Sequence, residues 1–477
     1  MEQLPGADSA FLALETSDAP AHVGGLTILD ASETSDFSFE KLVRTVGERV
    51  HLQPRLTRKL RELPLGIDRP YLVADPDFDV RNHIHRIAVA SPGGLRDLAE
   101  LVSYLHARPL HRDRPLWELW FIEGVEGGRH AMFMKSHHCL MDGAAGAGMG
   151  ELLCDLEPNP PAGQLPPAAM ARANQGEAES ETTYGDFEIA LRAAWNLAGG
   201  PRRMLGFGAG ILRQVVGMLR LANEEGAPPL PFSAPTASFN ADVGPRRAFS
   251  ATTVSLEDVK TVKEHYGVTV NDVVLAITGG AIREYLSERD ELPEESLVAT
   301  IAVSKRVEGD DEVGNQITMV PCLWATDEPD PVERLKQIHR NAAVSKELSA
   351  SHDADVVAGM GEAFPPGLTN LFMRTLAPKL ATAMAPGNVV VSNVRGTPVP
   401  LYVAGARIET MYPLSLLASG QGLNVTVVSY MGKVDVGFIA DPDLVEDVWA
   451  LAEAVPRALA ELVEAAEKES AMLAAGE

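Results

Sequence analysis

The chain has 477 residues, 45% hydrophobic and 22% charged, a globular composition long enough for two or three domains. Cores of that size need neither disulfides nor structural metals. Its 41 Lys and Arg stand against 66 Asp and Glu, a formal charge of −25, which argues against a nucleic-acid binder because such a protein needs a dense basic footprint. An anionic small-molecule substrate stays open, since a local basic pocket can sit in an acidic field. Three widely spaced cysteines, Cys139, Cys154 and Cys322, offer neither a disulfide framework nor a metal knuckle and point to a reducing, cytosolic compartment. The N-terminus lacks a basic segment leading into an apolar core, and no run of about 18 uncharged apolar residues occurs, so neither a signal peptide nor a spanning helix is expected.

In chain order, Val23 to Leu29 predicts a short apolar strand, Phe39 to Val50 a helix and Leu95 to Ala107 another. Leu116 to Glu123 and His130 to Ser136 read as a hairpin turning at Glu126-Gly127-Gly128. After Asp142 the small-residue run GAAGAGMGELLCDL predicts a helix that Asp142 caps. From Glu157 to about Thr183 the chain is rich in Pro, Ala, Gln and Glu and reads as a linker. Asp186 to Asn223 is distinctly basic, with Arg192, Arg202, Arg203, Arg213 and Arg220 against Asp186 and Glu188. It fits either a membrane-surface helix pair or, the plainer reading, a packing helix with a solvated arginine face. The Gly199-Gly200-Pro201 break predicts that it is not one straight helix.

A second Pro-rich patch, Ala227 to Pro235, closes the connector. Beyond it, Phe249 to Val254 reads as a strand and Leu256 to His265 as a helix. Asn271 to Leu286 reads as an amphipathic helix with Val274, Ile277, Ala281 and Ile282 on one side. Leu297 to Val303, Val389 to Ser392, Leu423 to Met431 and Lys433 to Ile439 read as strands, and Val445 to Ala465 as a terminal helix. The expectation is α/β: two domains, 1–157 and 245–477, joined by a helical, Pro-rich connector over 158–244.

The sharpest feature is Ser136-His137-His138-Cys139-Leu140-Met141-Asp142-Gly143, which follows a strand. Imidazole is the side chain best matched to proton transfer near neutral pH. Neighbours on an extended backbone point to opposite faces, so only one of His137 and His138 can face a given cleft. Taken alone, such a pair is more often structural than catalytic. A metal site is weaker still, because one turn offers at most three diverging ligands.

His137, His138, Asp142 and Gly143 fit HHxxxDG, which resembles the signature of the bacterial wax ester synthase/diacylglycerol acyltransferases, within the wider superfamily of CoA-dependent acyltransferases and condensation domains. Further segments resemble the narrower family in the same order. They are the opening PGADSAFLALETSDAPAHVGGLTIL with Asp8, Phe11, Glu15 and His22 to Gly25; Arg114-Pro115-Leu116-Trp117; Val270 to Val273; Val391 to Gly396; and Gly420 to Asn424 with Ser429-Tyr430. Together they cover essentially the whole chain. Looser matches fall at Ala21, where Met is frequent, at Val303 to Arg306 and at Gly314-Asn315. Each segment has a plainer reading as well: Trp117 as a core aromatic, Asn271-Asp272 as a helix start after Thr269, Ser392 to Gly396 as a turn.

The resemblance implies two chloramphenicol-acetyltransferase-like α/β domains meeting along a cleft, with the HHxxxDG turn at its centre. It implies transfer of a long-chain acyl group from acyl-CoA to diacylglycerol or a long-chain alcohol, with acyl-CoA as co-substrate, no bound cofactor and no metal. His138 would be the base, His137 would turn into the domain and fix the turn, Asp142 would be structural, and Cys139 a bystander. Substrate contacts are expected at Gly143, Trp117, Asn271, Asp272, Asn393 and Arg395, with the Asn393 amide an oxyanion donor. Arg55, Arg58, Lys59 and Arg61 could draw CoA phosphates, or form a solvated helix face. A base near the reference histidine pKa of about 6.5 would lose activity through roughly pH 6 to 7 unless burial shifts it. Two rival readings are an inactive lipid-binding relative and a condensation-type domain acting on carrier-bound acyl groups, although no carrier module is seen in this sequence. The expected place is cytoplasmic, with peripheral association at the inner face of the cell membrane or on lipid droplets left open.

Overall fold

The structure, a computed structural model, describes residues 1–140, 153–161, 165–166, 170, 185–221, 226, 234–304, 317–350, 359, 362–375 and 387–475. The helix expected after Asp142, most of the Pro-rich linker and most of the Ala227 to Pro235 patch lie outside them. In chain order the first half contains β1 (Glu2–Gln3), α1 (Gly6–Leu14), β2 (His22–Asp30), α2 (Phe39–Arg49), β3 (Arg58–Arg61), β4 (Tyr71–Ala74), β5 (Ile84–Ala88), α3 (Leu95–Ala107), β6 (Trp117–Glu123) and β7 (His130–His137). Helix α4 (Asp186–Leu221) follows, then β8 (Ala248–Ser255), α5 (Leu256–Tyr266), α6 (Val270–Ser287), β9 (Val298–Ser304), β10 (Ile317–Leu323), α7 (Pro331–Ala350) and α8 (Pro366–Thr375). The chain ends with β11 (Val389–Arg395), β12 (Tyr402–Val403), β13 (Ala406–Leu414), β14 (Leu423–Tyr430), β15 (Lys433–Ala440) and α9 (Val448–Ala475).

Local chemistry explains many of these boundaries. Ser38 starts α2 by accepting from the Lys41 N–H at 3.2 Å, and the helix then buries Leu42 and Val46 one turn apart. Helix α3 buries Leu98, Val102 and Leu105 at the same spacing. Two large sheets result, ordered β12-β13-β2-β7-β6-β5 and β10-β9-β11-β14-β15-β8. The expected hairpin is there, with Trp117 opposite Ser136, and β2 flanks it with His22 opposite His137.

Three expectations need correction. Helix α4 runs unbroken through Pro201. Pro201 has no N–H for the Leu197 carbonyl and its ring crowds that carbonyl, yet the hydrogen-bonded turns on either side carry the helix across. Helix α6 is not one-sided: Val273, Leu275, Ala276 and Thr278 are buried as completely as the expected face. Finally, the domain expected over 245–477 does not keep its strands to itself. Tyr402–Val403 and Ala406–Leu414 cross over to extend the first sheet, with Leu414 opposite Gly24 and Tyr412 opposite Leu26.

That crossing is locked from below. Asp435 on β15 is fully buried and accepts from the Met411 N–H at 2.9 Å and the Thr253 hydroxyl at 2.6 Å. Burial raises its pKa despite those two donors. Gly437 lets the sheets touch: a Cβ there would sit 2.0 Å from the Pro413 carbonyl oxygen. Among the described residues no helix is long and apolar enough to cross a membrane.

Gly25 and Gly437 flank the same crossing strand but differ in room, since a Cβ on Gly25 would meet only the Tyr412 carbonyl oxygen at 3.9 Å. Gly437→Ala is expected to lose about 1–3 kcal/mol, the usual cost of overpacking. Gly25→Ala should fall within about 1 kcal/mol of the parent or stabilise it. Urea unfolding of the two variants side by side checks this, and equal losses would contradict the crossing contact.

Candidate active site

Strand β7 delivers the histidine pair to the edge of the first sheet, and the chain turns at once: Leu140 N–H donates to the His137 carbonyl at 3.0 Å. The two rings part company there. His137 is buried, and its Nδ1 accepts from the Cys139 N–H at 3.1 Å. Its proton therefore sits on Nε2, which faces Glu15 Oε1 at 3.7 Å, too long for a hydrogen bond but close for a charge. His138 is only half-buried, and its ring stacks on Phe11 of α1 at 3.8 Å between centroids. Its backbone N–H is held by the Ala21 carbonyl at 2.9 Å. His137 is thus the buried member of the pair and His138 the partly exposed one, and the two part because the chain turns at His138 rather than by alternation along a strand.

Behind the turn lies a buried polar network. Glu15, just past α1, receives the Ala21 N–H at 3.3 Å, pairs with Arg112, and faces both His22 and His137 at 3.7 Å. Burial alone would raise its pKa, but His137 and Arg112 outweigh that and hold it at about 2. Lys135, fully buried two residues before His137, donates to the Leu105 and Arg108 carbonyls at 3.0 and 2.9 Å and pairs with Glu118 at 3.3 Å. His106 presents Nε2 to the Ser415 carbonyl at 3.1 Å. Burial, with Lys135 and Arg247 nearby, pushes its pKa down to about 3.

Burial and the neighbouring His137 push His138 down to about 4. Its Nδ1 is enclosed and lacks a hydrogen-bond partner among the described residues. The ring is thus neutral at physiological pH. Cys139 is the opposite case. It is fully buried, and burial with Asp8 nearby drives its thiol pKa well up, so no thiolate forms there.

The second half contributes another cluster. Asn393 on β11 donates from Nδ2 to Asn271 Oδ1 at 3.3 Å, bringing two distant sequence segments together. Arg395 is exposed two residues along the same strand. Asp272 takes its plainer reading: it forms a capping box with Thr269, accepting the Thr269 N–H at 2.9 Å, and its Oδ2 lies 2.7 Å from His339 Nδ1. It is 1% exposed, so it anchors the start of α6 while Asn271 faces Asn393.

Trp117 also moves out of the expected contact set. It is 1% exposed, donates from Nε1 to the Leu56 carbonyl at 2.7 Å, and stacks on His83 at 4.5 Å. That is core packing. The basic cluster is not a helix face but strand β3 and the turn before it, and acids answer it: Arg55 pairs with Glu2 and Asp8, Arg58 with Glu2, and Lys59 with Asp75. Asp142 and Gly143 lie outside the described residues. Among those residues no group of three or more His, Cys, Asp or Glu is placed to hold a metal ion.

Sequence reasoning missed the roles of Lys135, His22, His106 and Arg112. Lys135 left a signal, a lone charge inside the apolar strand HAMFMKS, while the others become neighbours only through folding.

The pattern of the wax ester synthase/diacylglycerol acyltransferase catalytic domain matches residues 4–274, and that of the family's C-terminal domain matches 313–463. A Mycobacterium tuberculosis relative that carries the name diacylglycerol O-acyltransferase is 35% identical over 467 residues, spanning 97% of this chain and 90% of its own. Another from the same organism is 34% identical over 453 residues, 91% and 92% of the two chains. Among solved structures, the wax ester synthase/diacylglycerol acyltransferase of Marinobacter aquaeolei VT8 superposes with a TM-score of 0.68 at 27% identity, covering 98% of this chain and 100% of that one. The first condensation domain of the calcium-dependent antibiotic synthetase shares the fold, with a TM-score of 0.57 at 16% identity over 98% and 96% of the two chains.

The site carries a pH signature. Because His22, His106 and His138 are held below the usual 6.5, the unfolded chain binds more protons than the folded one below that value. Stability is therefore full above about pH 6.5 and declines as pH falls toward 4 and 3. Glu15 adds to the decline from 4.5 down to about 2. Thermal melts should show Tm dropping over this range. The acid limb of the pH–rate profile should sit near 4 rather than at 6 to 7, and a limb at 6 to 7 in still-folded protein would contradict a buried base.

Proposed function

The chain belongs to the wax ester synthase/diacylglycerol acyltransferase family, and on that premise we propose that it transfers a long-chain acyl group from acyl-CoA to the hydroxyl of diacylglycerol or a long-chain alcohol, forming triacylglycerol or wax ester. The observation that carries the mechanism is a neutral, half-buried His138 beside a cysteine that stays a thiol. That supplies a base without a protein nucleophile.

An aliphatic hydroxyl attacks poorly until its proton is removed, whereas a thioester carbonyl is already activated. In this reading His138 takes the hydroxyl proton as the oxygen bonds to the thioester carbonyl carbon. The tetrahedral intermediate collapses, the carbon–sulfur bond breaks, and the CoA sulfur leaves with the proton that His138 returns. No acyl-enzyme forms. The Asn393 amide has one N–H directed to Asn271 and a second left for a developing oxyanion. Glu15 and Cys139 hold His137, and His137 holds the turn. Acyl-CoA enters as a co-substrate, and the scheme needs no bound cofactor.

His138→Ala should lower acceptor-dependent CoA release by about 10²–10⁴-fold, the worth of a positioned general base. His137→Ala should lose mainly stability, and Cys139→Ser should stay active. A thiol-release assay with labelled acyl-CoA and either hexadecanol or diacylglycerol, resolved by thin-layer chromatography, measures this. CoA release that no lipid acceptor stimulates above hydrolysis, or an acyl-cysteine trapped in the mass spectrum, would overturn the scheme.

A further inference from the structure

Helix α4 turns the wrong residues outward for a helix that merely packs. Its inner side buries Ile189 and Ala193, 5% and 0% exposed. Phe187, Trp195 and Leu205 stand 79%, 82% and 76% exposed, and Leu191, Leu212 and Val216 are exposed with them. At about 100° per residue, these six positions fall within an arc of roughly 100°. The bulkiest apolar side chains of the helix thus form one stripe facing away from the protein, a pattern that marks an interaction surface rather than scattered surface hydrophobics.

Charge says what covers it. Helix α4 carries five arginines against Asp186 and Glu188 in a chain of net charge −25, and Arg192, Arg202 and Arg213 are exposed. A second copy laid antiparallel on this stripe about the middle of the helix would bring the mid-helix Arg202 and Arg203 against their own copies, which costs energy. Anionic lipid headgroups offer the complementary charge, and the acyl layer beneath them accepts Trp, Phe and Leu. The opposite side of the helix roofs a cavity of about 460 Å³ lined by Leu197, Met204, Phe364, Leu368 and Ile67. Leu368 of that lining belongs to α8, whose Asn370 donates to the Ala13 carbonyl of α1 at 3.4 Å, and α1 carries the Phe11 that stacks on His138.

We propose that the outer face of α4 is the surface on which this protein seats itself on an anionic phospholipid bilayer, apolar stripe in the interface and arginines at the phosphates. The inference extends the acyltransferase reading, since its acceptors dissolve in membranes, but bilayer binding is measured without turnover. The full chain is co-sedimented with phosphatidylcholine vesicles with and without about 30% phosphatidylglycerol, at about 0.05 M and 0.5 M salt. Binding is expected on the anionic vesicles, weaker at high salt. The triple variant Phe187→Ser/Trp195→Ser/Leu205→Ser should bind at least about tenfold more weakly. Arg202→Glu/Arg213→Glu should lose the preference for phosphatidylglycerol. Both should keep native circular dichroism and undiminished CoA release with a soluble short-chain alcohol. The proposal fails if the parent protein does not bind anionic vesicles at low salt, or if the triple variant binds as the parent does. It fails equally if the triple variant changes only the oligomeric state seen by light scattering. Intact vesicle binding without CoA release from any form would instead sink the acyltransferase reading and leave this surface standing.

Discussion

Asp435, sealed between the sheets and joined to the Met411 N–H and the Thr253 hydroxyl, holds the strand that the second half of the chain lends to the first. From that strand register passes sideways without interruption. β13 pairs with β2, β2 with β7, and β7 ends on His137. A slip of one residue would turn every side chain on the way to the other face. The position of the histidine turn therefore depends on residues 406–414 through β2 and β7 as well as on the motif itself. Gly437 is the place where this arrangement tolerates no side chain, because the Pro413 carbonyl occupies the space a Cβ would need.

The network behind the turn shows what burying charged groups beside neutral imidazoles requires. Lys135 is a charged group removed from water and Glu15 a partly buried one, and each carries several partners: two carbonyls and Glu118 for the lysine, a backbone N–H and Arg112 for the carboxylate. Buried charge without such partners is strongly destabilising. In return, the positive field of Lys135 helps keep His22 and His106 unprotonated. His138, on the far side of the turn, is kept neutral by enclosure and by His137. Acid sensitivity follows from keeping these imidazoles neutral below their usual range.

Helix α4 departs from this economy. The core clusters of both halves close without its outer face, and the largest apolar side chains it carries remain in solvent. A helix so exposed draws little stability from its outer side chains, so their chemistry is open to serve contact with another phase.

The sequence alone determined whatever depends on neighbours within a few residues. The apolar spacing of Leu98, Val102 and Leu105 and a bounded run put α3 at Leu95–Ala107 as expected. The Glu126-Gly127-Gly128 turn set the hairpin. Thr269 and Asp272, three residues apart, marked the start of α6. Tertiary structure decided the rest. Nothing local in Ala406–Leu414 says that it joins the first sheet, because strand pairing is chosen by which edge is free and which face is apolar once both halves exist. Trp117 became core rather than contact because Leu56 and His83 close over it. Pro201 failed to break α4, because the hydrogen-bonded turns on either side carry the helix across a position that proline weakens. The pKa of His138 moved to about 4 because its charge depends on how much water and which charges surround it, quantities fixed only when distant segments pack.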